Sequence, residues 1–214
     1  MCERLRYENE AYQHGKTCVV GLDEAGRGPM AGPLVVGAVI FKKGYYREDI
    51  NDSKKLSEKK REELFDIIIQ DALAYQIEII DVETVDKLNV YQASKKGMID
   101  AIKHISIQPD FALSDAMPLG SVIEHESIIK GDSASISIAA ASILAKVTRD
   151  RIMKEYDYQY PEYGFAKHKG YPTKQHKEAL KIHGVTPIHR KSFQPVKDIL
   201  NEQLSFHLFD EPLK

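Results

Sequence analysis

The chain has 214 residues, 43% apolar and 29% charged, with a net charge of −2, which suffices for one well-buried domain and requires no second. No apolar run approaches the roughly 18 residues that a membrane span needs, and residues 1–13 are polar, without the apolar stretch of a secretory signal. Cys2 and Cys18 have neither metal-type spacing nor a disulfide pattern, so the sequence points to a reducing, cytoplasmic setting.

Cys18 to Leu22 and Leu34 to Phe41 are short β-branched runs bracketed by glycine and proline, which predicts a strand, a glycine-rich connection and a second strand. Ser57 to Leu73 predicts a helix: Ser57 can cap it, Glu58 suits its dipole, and Leu64, Phe65, Ile68 and Ala72 share one face. A strand follows at Ala74 to Ile80, then a helix over Tyr91 to Ile105, a strand over Phe111 to Asp115, and another within residues 122–129. A long helix is expected from Asp132 or Ser133 to about Tyr158, where Ala139, Ala140 and Ala141 allow close packing. Helical pieces at Lys174 to His183 and Pro195 to Leu204 complete an α/β layered domain with a helical C-terminal part.

The chemistry concentrates in Asp23-Glu24-Ala25-Gly26-Arg27-Gly28-Pro29, at the end of the first strand. Carboxylates are the hard oxygen ligands that Mg²⁺ and Mn²⁺ prefer, and glycines let backbone N–H groups approach a ligand closely; a tight turn with solvated charges is the alternative. Consecutive strand residues point to opposite faces, so Asp23 and Glu24 serve one site only if the strand ends or bulges there. Asp115 ends a strand, where open α/β sheets keep their ligands. Asp132 opens a helix, and either an N-cap or a metal ligand fits that position. Between Lys167 and Lys197 eight Lys or Arg face one acid, Glu178, and are interleaved with Tyr171, His168 and Phe193, a mixture that suits phosphate backbones and sugar faces. Lys54 and Lys55 begin a second cluster that Asp52, Glu58, Glu62 and Glu63 dilute, and residues 58–63 read as a solvated helix face. Gly15-Lys16-Thr17 lacks the first glycine of a P-loop, and His168, His176, His183 and His189 lack zinc spacing.

Six segments stand out in order: Gly21-Leu-Asp-Glu-Ala-Gly-Arg-Gly-Pro-Met-Ala-Gly-Pro33, Asn51-Asp-Ser-Lys-Lys-Leu-Ser57, Ser114-Asp-Ala116, Lys130-Gly-Asp132, Ile138 to Asp150, and Tyr163 to Thr173. Together they resemble bacterial ribonuclease HII, the type 2 RNase H. The resemblance implies an RNase H-like fold, a mixed central β-sheet flanked by helices, in a single domain over residues 1–214. Its core would span about 18–160 and a helical substrate-contacting part about 161–204. It also implies a metal-dependent endonuclease that hydrolyses the RNA strand of RNA/DNA hybrids. Such an enzyme also cuts 5′ to single ribonucleotides in duplex DNA, leaving 5′-phosphate and 3′-hydroxyl ends.

By position, the four catalytic and metal-holding acids fall on Asp23, Glu24, Asp115 and Asp132, with Mg²⁺ or Mn²⁺ as the ion. Gly26, Arg27 and Gly28 would read the ribose 2′-hydroxyl, which distinguishes RNA from DNA, and Tyr171 would pack on the next deoxyribose. Lys54, Lys55, Lys146 and Arg149 are the candidate phosphate contacts, although Arg149 also suits an ion pair with Asp150 or Glu155 along its helix. The Gly-Arg-Gly element separates the chain from ribonuclease HIII, and Ala116 stands where many relatives have glycine. Gln203-Leu-Ser-Phe-His-Leu-Phe209 resembles the peptide by which bacterial proteins dock on the replication sliding clamp, through Gln203, Phe206, Leu208 and Phe209. The alternative is an amphipathic segment that packs back on the domain. A monomer is expected, and a nucleic-acid-binding protein without catalysis is the rival reading.

Overall fold

The computed structural model describes residues 3–209, and side chains as far as residue 201. Five strands form one mixed sheet in the order β3-β2-β1-β4-β5. They are β1 (Val19–Ala25), β2 (Leu34–Ile40), β3 (Ala74–Ile80), β4 (Phe111–Asp115) and β5 (His125–Ile128). β1 runs antiparallel to β2 and parallel to β4, β2 pairs antiparallel with β3, and β4 pairs parallel with β5. The helices are α1 (Arg6–Gln13), α2 (Glu58–Asp71), α3 (Val82–Leu88), α4 (Val90–His104), α5 (Gly131–Ala134), α6 (Ile136–Gln159), α7 (Phe165–His168), α8 (Lys174–His183) and α9 (Gln194–Phe209). None of the described helices is long and apolar enough to cross a membrane.

Period-two alternation in β2 splits the core between two layers. Val36, Ala38 and Ile40 pack with Val85, Ala93, Met98 and Ala101 under α3 and α4, whereas Val39 faces Leu64, Ile68 and the Ala139 to Val147 stretch of α2 and α6. Helix α6 lies very close to the sheet, as its three alanines predict. A Cβ on Gly21 would stand 2.2 Å from the Ser137 carbonyl carbon, and one on Gly37 would stand 2.3 Å from the Ala141 oxygen. A third core joins the second half of α6 to the C-terminal part, with Met153, Tyr163, Phe165, Leu180 and Val196 closing over Met30 and Ala31 of the β1–β2 connection.

Strands β3 and β4 and helix α8 have the bounds read from the sequence, and Ser57 caps α2 by accepting from the Lys60 N–H. Elsewhere the chain departs from expectation. β1 continues through Asp23 and Glu24 to Ala25. The single helix expected from Asp132 to Tyr158 is two: Ser135 adopts extended backbone (φ −124°, ψ 133°) and its side chain caps α6 by accepting from the Ile138 N–H. Asp132 caps nothing, because Lys130 occupies the N-cap of the four-residue α5. Helices α1 and α3 were not foreseen. In α3 the signal was Asp81, whose carboxylate accepts from the Thr84 N–H, and the helix stops where Asn89 turns left-handed (φ 65°) to cap α4.

Candidate active site

Parallel pairing of β1 with β4 ends at Leu22↔Ser114, so the next residues along the two strands, Asp23 and Asp115, emerge side by side at the same end of the sheet. Asp132 arrives from α5, which is tied to the strand end because the Gly131 N–H donates to Asp115 Oδ1 at 2.7 Å. One carboxylate oxygen from each of Asp23, Asp115 and Asp132 lies within 4.8 Å of the others. Asp23 and Asp132 are buried and Asp115 half-buried.

Glu24 lines the same cleft but stands outside this cluster of three. No bulge brings it in, since β1 stays in register with β2 through Glu24↔Val36 and Ala25↔Val35; only the β4 side of the strand is released. Its Oε1 accepts from Arg27 Nη1 at 3.3 Å, and its Oε2 is buried with no hydrogen-bond partner among the described residues. Burial, reinforced by Glu24 and Asp115, holds the Asp23 carboxyl well above its ordinary pKa. Burial also raises Glu24, against the pull of Arg27, and raises Asp115, against the Gly131 N–H. Four acids with too little positive charge between them, one carrying an orphaned oxygen, form the donor set that a hard divalent cation fits.

A cleft of about 300 Å³ joins Asp23, Glu24 and Asp115 to most of the other residues singled out in the sequence: Gly26, Arg27, Gly28, Lys54, Lys146, Arg149 and Tyr171 all line it. Lys54 Nζ donates to Asp132 Oδ2 at 3.1 Å, while Lys55 Nζ donates to Ser133 Oγ at 3.1 Å on the rim. Lys146 is drawn aside to Asp150 at 2.6 Å.

Arg149 departs from its expected part. It is 1% exposed and pairs with neither Asp150 nor Glu155; its guanidinium donates to the carbonyls of Pro33 (2.9 Å), Ala31 (3.1 Å) and Lys169 (2.9 Å). Three of its five N–H groups are thus committed to backbone carbonyls, and almost none of the side chain is open to solvent. Arg190, which composition alone placed in the basic stretch, is also fully buried and donates to Gly32 O at 3.0 and 2.8 Å. Burial lowers the two guanidinium groups to about 10 and about 9. Between them the two arginines fasten the β1–β2 connection, whose Gly26 has φ 105° and no room for a Cβ beside Arg149.

Tyr171 is 46% exposed, and its ring lies so close to the connection that a Cβ on Gly28 would be 3.3 Å from its Cε1. Behind it run three buried histidines. His176 Nδ1 donates to Tyr171 O (2.9 Å), its Nε2 accepts from His189 Nε2 (3.0 Å), and His189 Nδ1 accepts from the Thr186 N–H (3.0 Å). His168 accepts from the Gly170 N–H through Nδ1 and donates to Tyr163 O through Nε2. Every ring nitrogen is satisfied only while all three rings are neutral. Nothing in the local sequence signals this chain, because its members meet through folding.

Residues 20–196 match the family model described as Ribonuclease HII. A ribonuclease HII of Acholeplasma laidlawii is 54% identical over 200 residues, covering 94% of this chain and 98% of the relative. Among solved structures, the ribonuclease H2 of Pyrococcus horikoshii superposes with a TM-score of 0.76 at 26% identity, over 87% of this chain and 98% of that one. The ribonuclease HII of Archaeoglobus fulgidus, solved in complex with PCNA, gives 0.67 at 27% identity over 81% and 94%. Similarity of this extent runs through every segment that builds the cleft. The chain therefore belongs to the ribonuclease HII family, endonucleases that hydrolyse the RNA strand of RNA/DNA hybrids and excise ribonucleotides from DNA.

Proposed function

We propose that Asp23, Glu24, Asp115 and Asp132 hold the divalent ions of the reaction, Mg²⁺ or Mn²⁺. The observation that carries this reading is the set of three carboxylate oxygens within 4.8 Å of one another, beside the partnerless Glu24 Oε2. Bound by these residues, a divalent ion would supply Lewis-acid chemistry for an in-line displacement, favouring ionisation of the attacking water and the charge on the departing 3′ oxygen. The protein's own groups orient the strand. Gly26, Arg27 and Gly28 present backbone to the ribose 2′-hydroxyl, and Tyr171 offers an exposed ring to the deoxyribose that follows. Gly28 lies against that ring, so a sugar seated there touches both at once.

Lys54, Lys55 and Lys146 are the phosphate contacts on this reading, with side chains 76%, 60% and 24% exposed. Arg149 acts one step back, by holding the recognising connection in place. The protein works as a cytoplasmic monomer on RNA/DNA hybrids and on DNA duplexes containing single ribonucleotides. Its C-terminal peptide, Gln203, Phe206, Leu208 and Phe209, docks on a sliding clamp, as the Archaeoglobus relative is found with PCNA. The backbone of these four residues lies in α9, and their side chains are outside the described ones.

The deciding experiment is cleavage of an end-labelled DNA duplex with one ribonucleotide, in Mg²⁺ or Mn²⁺, by wild type and Asp115→Asn. The expected result is a metal-dependent cut 5′ to the ribonucleotide that the variant loses while keeping its fold. A fully active Asp115→Asn would overturn the site assignment. For the clamp, retention on immobilised sliding clamp should be lost in Phe209→Ala, and equal retention of both proteins would refute the docking peptide.

A further inference from the structure

Helix α1 buries a carboxylate that the chemistry above does not use. Glu8 is 4% exposed, and its Oε1 accepts from Ser135 Oγ at 2.6 Å and from the Ser137 N–H at 3.0 Å. The first of these bonds spans 127 residues of sequence. Both donors belong to the start of α6, where free N–H groups and the helix dipole favour a negative charge. Glu8 thus adds a second cap to a helix that Ser135 already caps, and Ser135 Oγ joins the two by donating to Glu8 while accepting from the Ile138 N–H.

This junction is where the three aspartates are referenced to one another. Asp132 sits in α5, directly before Ser135, and the Ser135 N–H donates to Gly131 O at 2.8 Å. Asp115 is bound to α5 through the Gly131 N–H, and a Cβ on Gly131 would meet Ile138 Cδ1 at 2.6 Å. Asp23 lies two residues beyond Gly21, whose backbone presses on Ser137 and Ile138. The segments bearing Asp23, Asp115 and Asp132 therefore all meet the first turn of α6, and Glu8 is the group that fastens that turn from outside.

We propose that Glu8 is a positioning residue for the carboxylate cluster, setting its affinity for divalent metal through Ser135 and Ser137. The inference rests on the metal-binding reading of Asp23, Asp115 and Asp132. The test is calorimetric titration of Mn²⁺ into Glu8→Ala, Glu8→Gln, Ser135→Ala and Asp132→Asn, with folding checked by circular dichroism and KM for the ribonucleotide duplex measured at saturating Mn²⁺. Glu8→Ala should weaken Mn²⁺ binding by about tenfold or more, the scale on which groups supporting metal ligands act, with KM unchanged. Glu8→Gln keeps a carbonyl oxygen for both donors and should bind Mn²⁺ like wild type, whereas Ser135→Ala should lose affinity. If Glu8→Ala does not fold, the contrast between Glu8→Gln and Ser135→Ala carries the test. Folded Glu8→Ala or Ser135→Ala with wild-type Mn²⁺ affinity would overturn the proposal, as would Glu8→Gln binding as weakly as the truncations. Wild-type affinity in Asp132→Asn would instead bring down the metal reading beneath it.

Discussion

Gly21→Ala probes the tightest contact in the fold. The new Cβ would sit 2.2 Å from the Ser137 carbonyl carbon and 2.5 Å from both Ile138 N and Ser137 Cβ, where carbon atoms ordinarily keep about 3.5–4.0 Å. None of these atoms can rotate away, so β1 and the first turn of α6 must separate by about 1 Å. Overpacking of that kind costs about 1–3 kcal/mol, and with only backbone and Cβ atoms in the way we expect about 3 kcal/mol. The same movement carries Asp23, and a displacement near 1 Å at a reacting centre can cost about a hundredfold in rate. Urea unfolding and single-turnover cleavage of the ribonucleotide duplex read the two effects. Gly15→Ala is the control: Gly15 has φ +84° with nothing within 4 Å, so it should lose only the roughly 1–2 kcal/mol of a left-handed alanine and cut normally. The reasoning fails if Gly21→Ala unfolds within about 0.5 kcal/mol of wild type, the range of an innocuous surface change, and cuts at the same rate.

Two further predictions concern the supports of the recognising surface. Burial lowers His176 to about 4, and burial with the neighbouring His176 lowers His189 to about 3. Because their folded values lie below the ordinary 6.5, the stability they confer is complete above pH 6.5 and falls as pH drops towards 4. Loss from His176 alone should be on the order of 3 kcal/mol, read from unfolding at pH 7 and pH 4 as the difference between wild type and His176→Asn; identical pH profiles would refute it. Arg149→Lys keeps the charge but leaves buried carbonyls of the β1–β2 connection unmet, which should cost about 1–3 kcal/mol for each carbonyl and slow cutting at single ribonucleotides. Unchanged stability in Arg149→Lys, together with a salt dependence of hybrid binding reduced by about one phosphate contact in the uncharged Arg149→Met, would return Arg149 to the phosphate role.

Much of this arrangement is written locally. Alternation and flanking turn residues place β3 and β4, and the run of acids and glycines after Leu22 marks the site, because strand ends and ligand chemistry leave short-range traces. The failures share a different character. Ser135 breaks the long helix through a cap that its own sequence equally permits to be a helical serine. Asp132 looks like a cap until Lys130 is seen in that position. Arg149 and Arg190 read as phosphate-seeking charges, since no local pattern records that most of their partners are carbonyls more than 100 residues away. Glu8 is invisible for the same reason, its partner lying 127 residues along the chain.

Helix α6 touches both halves of the recognition problem: its first turn abuts the strand that carries Asp23, and Arg149, further along the same helix, grips the connection beside Gly26. From Ser135 to Arg149 is about 21 Å at 1.5 Å per residue, with no break in between. On the site reading proposed above, the place where a ribose is sensed and the place where the chain is severed are thus marks on one ruler. An enzyme built this way needs no moving gauge to cut at a constant offset from the sugar it detects, and any change that lengthens or bends the ruler should blur the cutting position before it abolishes the cut.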